Sequence, residues 1–186
     1  MKIVEVNAYH VRPRWGFVEI ITDEGITGWG EAVLEGHCDA VLACVQEYRS
    51  YLIGQDPFRI EDISATIFRA GFYRGGGVLM SALSGIDQAL WDIKGKAFGT
   101  PAYELMGGKC RDKIKVYSWI GGDRPDDVAK AALERKKMGF DAVKMNATEE
   151  ELKKLSMFIK VDMIQHSVPS TETVLVSTFS SRPPQR

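Results

Sequence analysis

The sequence predicts an α+β fold in its first part, an antiparallel meander followed by helices, and the opening of a parallel α/β structure in its second part. Three observations carry this prediction. β-Branched and aromatic residues are enriched in three short segments before residue 32. Apolar residues then recur at helical spacing between residues 39 and 97. After residue 113 the pattern becomes strand, helix and strand, which is typical of a βαβ unit.

The composition excludes several classes of protein. The 186 residues are 45% apolar and 26% charged, as in ordinary globular domains, and the net charge of -1 favours neither nucleic acid nor an anionic membrane as a partner. No apolar run reaches the roughly 18 residues of a membrane span, and no signal peptide follows Met1. The three cysteines form no C-x-x-C pair. They therefore argue against disulfides and against a zinc site, and they favour a cytoplasmic location.

The meander is predicted from three segments, residues 2–11, 17–22 and 26–31. The second and third flank Asp23-Glu24-Gly25, a turn sequence that joins antiparallel strands in a hairpin. We therefore expect three consecutive antiparallel strands at the start of the chain.

Two helices are predicted next. The first runs from Asp39 to Leu52, where Gly54 supplies a left-handed residue that ends it. The second is predicted to begin at Asp56 as its N-cap, with Pro57 in the first helical position.

A third, mostly buried helix is predicted from Val78 to Ala97, because its apolar residues cover more than one side. Its interior Gly85 predicts close approach by a neighbouring element. The Gly75-Gly76-Gly77 triplet before it lacks the Lys-Ser/Thr of a phosphate-binding P-loop and is interpreted as a flexible loop.

The parallel part is predicted as a strand at 114–119, a helix at 125–137 and a strand at 142–145. A complete (β/α)8 barrel takes about 250 residues, more than this whole chain contains. The sequence from Ser167 to Arg186 has no periodic pattern. We therefore expect three segments: domain 1–112, the start of a second domain at 113–150, and a divergent, poorly ordered tail at 151–186.

Two loops combine polar and aromatic residues, Arg14-Trp15 between the first two strands and Tyr73-Arg74 before the glycine triplet. Guanidinium groups bind carboxylates, and aromatic rings exclude water from small ligands. An equally good interpretation is that Trp15 and Tyr73 pack in small apolar clusters outside the main core, and that the two arginines face solvent. Lys144 and Asn146 are two residues apart on the last strand and are predicted to share one face. In the alternative interpretation, Lys144 extends its charged end to solvent and Asn146 only ends the strand.

Several motifs make the sequence specific. They are Asp23-Glu24-Gly25 with Gly28-Trp29-Gly30-Glu31, Ile53-Gly54-Gln55-Asp56-Pro57, Arg69-Ala70-Gly71-Phe72-Tyr73-Arg74, and above all Ser84-Gly85-Ile86-Asp87-Gln88-Ala89-Leu90-Trp91-Asp92-Ile93-Lys94-Gly95-Lys96. Together they resemble the mandelate racemase-like branch of the enolase superfamily, and within it the sugar-acid dehydratases. The resemblance covers nearly everything from Met1 to about Glu150.

The resemblance implies a capping domain at 1–112 and the first strands of a (β/α)7β TIM-like barrel, here incomplete. It implies a homo-oligomeric, Mg2+-dependent lyase that removes the proton α to the carboxylate of a sugar acid and then a β-hydroxyl. Arg14, Trp15, Tyr73 and Arg74 are then the substrate-binding residues of the capping loops.

The sequence also departs from the family pattern. The acidic metal ligands and the acid/base groups belong to later barrel strands, so we expect no catalytic residue, no metal ligand and no bound Mg2+ in this chain, and no activity alone. Lys144-x-Asn146 replaces the Lys-x-Lys of the racemases and disfavours racemisation. Alternatives are a noncatalytic capping or assembly module, a gene fragment whose tail from about Glu151 is foreign or frame-altered, and another dehydratase or racemase of the superfamily.

Overall fold

A computed structural model of the chain describes residues 1–73, 75–121, 124–147 and 173–178. The chain divides into two compact units, Met1–Cys110 and Arg111–Arg186. The first unit contains three strands and four helices: β1 (Ile3–Val11), β2 (Trp15–Thr22), β3 (Thr27–Glu31), α1 (Cys38–Leu52), α2 (Ile60–Arg69), α3 (Gly77–Ala97) and α4 (Ala102–Leu105). The described elements of the second unit are β4 (Ser118–Trp119), α5 (Pro125–Lys137), β5 (Ala142–Ala147) and β6 (Thr173–Thr178).

The predicted meander is confirmed. β1, β2 and β3 form an antiparallel sheet in that order, with Ala8 opposite Val18 and Val18 opposite Gly30. The hairpin turn between β2 and β3 passes through Gly25 at a φ of 79°, a left-handed conformation that glycine adopts without strain. Alternate side chains along β2 are buried, so one face of the sheet packs against the helices.

The core of the first unit lies between that face and helices α1, α2 and α3. Its largest fully buried side chains are Ile3, Ile20, Leu52, Ile63, Ile86, Leu90 and Ile93. The predicted burial of α3 and the close approach at Gly85 are both confirmed, because a Cβ atom at Gly85 would lie 2.6 Å from the Cβ of Ala32. The sheet therefore rests almost directly on the backbone of α3.

The predicted start of the second helix is wrong. α2 begins at Ile60 rather than immediately after Asp56. The Asp56 carboxylate accepts the backbone N–H of Phe58, and its carbonyl accepts the N–H of Arg59. Asp56 therefore closes a separate turn, and the helix starts after it.

The second unit contains the predicted parallel pairing. β4 lies parallel to β5, with Trp119 opposite Lys144, and α5 connects the two strands. A small apolar cluster joins them: Ile120, Val128, Ala132, Val143 and Met145. The first strand is shorter than expected, since only Ser118–Trp119 pair with β5 while Ile114 is 76% exposed.

A third strand in this unit, β6, pairs with the other side of β5 and runs antiparallel to it. Its residues include the Val174-Leu175-Val176 run, in a segment where the sequence shows no period. The rest of the tail, at 151–172 and 179–186, lies outside the described residues, and its predicted disorder stays a prediction.

Candidate functional site

Arg14 is the last residue of the loop between β1 and β2, and Trp15 is the first residue of β2. The Arg14 guanidinium carbon lies 5.0 Å from the centroid of the Trp15 ring, within the range of a cation–π contact. Its Nη1 donates a hydrogen bond to Oε1 of Glu35, which precedes α1. The Arg14 side chain is 55% exposed, so its other N–H groups can reach a ligand. No local motif predicts the contact with Glu35, which lies 21 residues away in the sequence.

A second contact holds the same loop to α1. His10, near the end of β1, has its Nδ1 atom 2.6 Å from Oδ1 of Asp39 in the first turn of α1. The Nε2 atom of His10 is buried and has no hydrogen-bond partner among the described residues. No local motif predicts the contact with Asp39, which lies 29 residues away in the sequence. With Arg14 and Glu35, this pair anchors both ends of the loop.

A cleft of about 270 Å³ separates the loop from the start of α1. It is lined by His10, Pro13, Arg14, Gly36, His37, Cys38, Asp39 and Ala40. Burial, with a smaller contribution from the negative charge of Asp39, raises the pKa of the Cys38 thiol. Cys38 is therefore protonated at neutral pH and unsuited to nucleophilic attack. The exposed guanidinium of Arg14 is the group in this cleft best suited to bind a carboxylate.

Tyr73 lies in the segment between α2 and α3 and is 85% exposed. Its ring contacts that of Phe72 edge to face, with the ring centroids 5.2 Å apart. It also lines a small groove with Tyr48, Phe68 and Met80. This groove shares no lining residue with the cleft beside Arg14. The two halves of the predicted site thus lie at two separate depressions, and Arg74 lies outside the described residues.

Lys144 lies in β5 and is partly buried. Its Nζ atom is 5.9 Å from the centroid of the Tyr117 ring, a weak cation–π contact. The backbone of Asn146 pairs with Val174 in β6, and its side chain lies outside the described part of the structure. The predicted common face of Lys144 and Asn146 therefore stays a prediction.

The described residues offer no metal centre. No group of three or more His, Cys, Asp or Glu side chains among them is arranged to hold a metal ion. In the same part of the chain, no helix combines the length and the apolar character that crossing a membrane requires.

The chain matches the model of a known protein family. The model of the mandelate racemase / muconate lactonizing enzyme N-terminal domain matches residues 8–107. That segment contains the end of β1, strands β2 and β3, helices α1 to α4 and both candidate loops.

Individual relatives extend the similarity past the matched domain. Over 150 residues the chain is 59% identical to the D-galactonate dehydratase of Pectobacterium atrosepticum and 56% identical to that of Xanthomonas axonopodis pv. citri. Each alignment covers 81% of this chain and 39% of the relative. The chain thus spans about two fifths of the length of these relatives.

A solved structure supports the same fold. A crystal structure of an enolase from Pantoea ananatis with bound D-gluconate and Mg superimposes with a TM-score of 0.70 at 41% identity. The superposition covers 75% of this chain and 35% of the other.

Proposed function

Because the chain belongs to the mandelate racemase / muconate lactonizing enzyme family of the enolase superfamily, we propose that it supplies the capping domain and first barrel strands of a D-galactonate dehydratase. The observation that carries the proposal is the 56–59% identity with D-galactonate dehydratases over 150 residues. In this proposal residues 1–112 are the capping domain and residues 113–150 begin the barrel. Residues 151–186 are a divergent tail, and the complete enzyme is a homo-oligomer.

The proposed reaction is the removal of water from a sugar acid. A base takes the proton α to the carboxylate, the β-hydroxyl leaves as water, and the product is 2-keto-3-deoxy-galactonate. An α-proton beside a carboxylate is very weakly acidic, so the developing negative charge needs strong electrostatic stabilisation. The capping domain contributes by excluding water and by holding the part of the substrate remote from the reacting carbon.

Mg2+ is the proposed cofactor of the complete enzyme, and the D-gluconate complex of the Pantoea ananatis enolase contains Mg. The described residues of this chain do not fit the ion, because a hard divalent cation requires several convergent oxygen ligands and no such group is present among them. We therefore assign no step of the reaction to Mg2+ in this chain. We expect the 186-residue chain alone to bind no catalytic Mg2+ and to dehydrate no sugar acid.

Arg14 is the best-supported substrate-binding residue. Trp15 lies against its guanidinium and Glu35 accepts one of its five N–H groups, so its orientation is fixed before a ligand arrives. The remaining N–H groups can donate to the hydroxyl or carboxylate oxygens of a sugar acid. Tyr73 and Arg74 are proposed to contribute from the second loop, and Lys144 and Asn146 from the second barrel strand.

The test joins residues 1–150 of this chain to the remainder of the Pectobacterium atrosepticum D-galactonate dehydratase. We expect the chimera to dehydrate D-galactonate with a kcat/KM within about tenfold of the parent enzyme, because the remote substrate contacts are retained. D-Gluconate and other hexonates provide the comparison panel. A folded chimera that prefers another acid by more than tenfold would contradict D-galactonate as the substrate, and one that acts on none would contradict the dehydratase proposal.

A further inference from the structure

The guanidinium beside the cleft at the start of α1 is not a free positive charge, because it is already paired with a carboxylate. Nη1 of Arg14 donates to Oε1 of Glu35 at 2.5 Å, and the two side chains are 55% and 75% exposed. Arginine has five N–H groups and a carboxylate has two oxygens, so both side chains keep hydrogen-bonding capacity after this bond. The Arg14 side of the cleft therefore presents a donor and an acceptor next to each other.

A second carboxylate adds negative charge to the same cleft. Asp39 is one of the lining residues, is 80% exposed and lies against Nδ1 of His10 at 2.6 Å. Arg12, the other arginine of the loop, is not among the described residues that line the cleft. At pH 8, where the side chain of histidine is ordinarily neutral, two carboxylates thus face the one guanidinium of Arg14.

The N-terminus of α1 does not reverse this balance. The free backbone N–H groups of a helix N-terminus favour a negative charge. In α1 that charge is already supplied by Asp39, which lies in the first turn. A further anion that entered the cleft would therefore meet Asp39 and Glu35 as well as Arg14.

A hydroxyl group and a carboxylate make different bonds to a guanidinium–carboxylate pair. A hydroxyl accepts a hydrogen bond from the guanidinium and donates its own proton to the carboxylate, so it satisfies both partners. A carboxylate accepts from the guanidinium but has no proton to donate, and its charge is repelled by the carboxylate of the pair. It gains a two-bond contact with Arg14 only where it displaces Glu35.

We propose that Glu35 is a specificity-determining residue, which together with Arg14 admits the neutral, hydroxylated end of a sugar acid to this cleft and rejects a second carboxylate at that end. The inference rests on the proposed function, which places Arg14 against the part of the substrate remote from the reacting carbon. It adds the class of acid that the cleft selects, monocarboxylic rather than dicarboxylic. Repulsion and an unmade hydrogen bond both act against the wrong acid only.

The test compares two acids that differ only at the remote end. D-Galactonate ends in a CH2OH group, and galactarate has the same configuration of hydroxyls with a second carboxylate in that place. Galactarate is measured as a competitive inhibitor of D-galactonate dehydration by the chimera described above, at pH 8 and at low ionic strength, where charge effects are least screened. The variant Glu35→Gln removes the charge but keeps the size of the side chain and an acceptor oxygen.

In Glu35→Gln, we expect the inhibition constant of galactarate to fall by about three- to thirtyfold, because the repelling charge is absent. The kcat/KM for D-galactonate should change by less than about threefold, because a hydroxyl still binds between a guanidinium and an amide oxygen. Glu35→Asp keeps the charge and should keep the high inhibition constant. The matched control is Glu61→Gln, which should change neither value, because Glu61 is exposed on α2 and no described residue of α2 lines the cleft.

An unchanged inhibition constant in Glu35→Gln would overturn the inference, as would an equal fall in Glu61→Gln. An equal gain for D-galactonate would also overturn it, because Glu35 would then act on the charge of any sugar acid rather than on its remote end. Circular dichroism checks folding, and Glu35→Ser takes the place of Glu35→Gln if that variant is unfolded.

Failure of the proposed function gives a different result. A folded chimera without dehydratase activity would contradict the proposed function. The dissociation constants of the two acids, measured by isothermal titration calorimetry in the same variants, then decide the inference by their ratio. Binding of neither acid, or a ratio that Glu35→Gln leaves unchanged, would overturn it.

Discussion

Replacing Gly30 with alanine tests whether the contact between β3 and α3 governs the stability of the first unit. The added Cβ would lie 1.9 Å from the carbonyl oxygen of Gly85, and ordinary contacts begin at 3.4 Å. The strand and the helix must therefore separate by about 1.5 Å, since both atoms belong to the main chain and no side-chain rotation relieves the overlap.

The magnitude follows from two losses. Overpacking of this kind costs about 1–3 kcal/mol. The hydrogen bonds from Gln88, Asp92 and Lys96 of α3 to the backbone of β3, now 2.7–3.3 Å long, would be stretched or broken, at about 0.5–1.5 kcal/mol each. We expect the free energy of unfolding to fall by about 3 kcal/mol, which corresponds to a urea midpoint lower by about 1 M or more.

Urea denaturation followed by tryptophan fluorescence measures this change. Gly76→Ala is the matched control, because its Cβ would meet nothing within 4 Å and its φ of -116° suits alanine. We expect the control to lose less than about 1 kcal/mol. A Gly30→Ala midpoint equal to that of Gly76→Ala would refute the inferred packing of α3 on β3.

Three further predictions concern the candidate site, the sheet and the domain boundary. In the chimera, Arg14→Ala should lower kcat/KM for D-galactonate by roughly ten- to a thousandfold, about 1.4–4 kcal/mol, while the exposed control Arg59→Ala leaves it unchanged; equal effects would remove Arg14 from the substrate site. The hydrogen bond that Tyr9 donates to the Glu19 carboxylate raises the pKa of Tyr9 above its ordinary value near 10. The contribution of this hydrogen bond to stability is therefore present below about pH 10 and lost as the pH rises through the higher folded-state pKa. In urea titrations at alkaline pH, Tyr9→Phe should therefore lose less stability than the unmodified chain. An equal loss in both proteins would contradict this. Limited proteolysis should leave a protected fragment ending near residue 112, whereas one protected fragment reaching Arg186 would contradict the proposed domain boundary.

Periodicity in the sequence was sufficient to predict the three strands of the meander and the long helix α3. These elements alternate or repeat their apolar residues over many positions, and Gly85 is an isolated glycine in an otherwise strong helical pattern. The start of α2 was mispredicted because Asp56 and Pro57 suit both a turn and a helix N-terminus. The bond that Asp56 accepts from Phe58 occurs in both, and only the backbone that follows distinguishes them: Arg59 closes a turn on the Asp56 carbonyl, and the helix begins at Ile60.

The candidate site was less predictable than the fold. Residue type alone singled out Arg14 and Trp15, but their anchoring by Glu35 depends on a contact 21 residues away. The same limit applies to His10 and Asp39, and to the hydrogen bonds that join Gln88, Asp92 and Lys96 of α3 to the backbone of β3. A row of polar residues four apart on a helix ordinarily indicates a solvated face. Its role is visible only once β3 is placed beside it.

Proton NMR of the reaction in D2O tests the central claim most directly. The chimera of residues 1–150 with the Pectobacterium atrosepticum barrel is incubated with D-galactonate and Mg2+, and the spectrum is followed over time. The proposed dehydration predicts loss of the signal of the proton α to the carboxylate and appearance of 3-deoxy signals from the 2-keto-3-deoxy product. An epimerised acid that keeps its β-hydroxyl, or a substrate left unchanged by the folded chimera, would contradict the account.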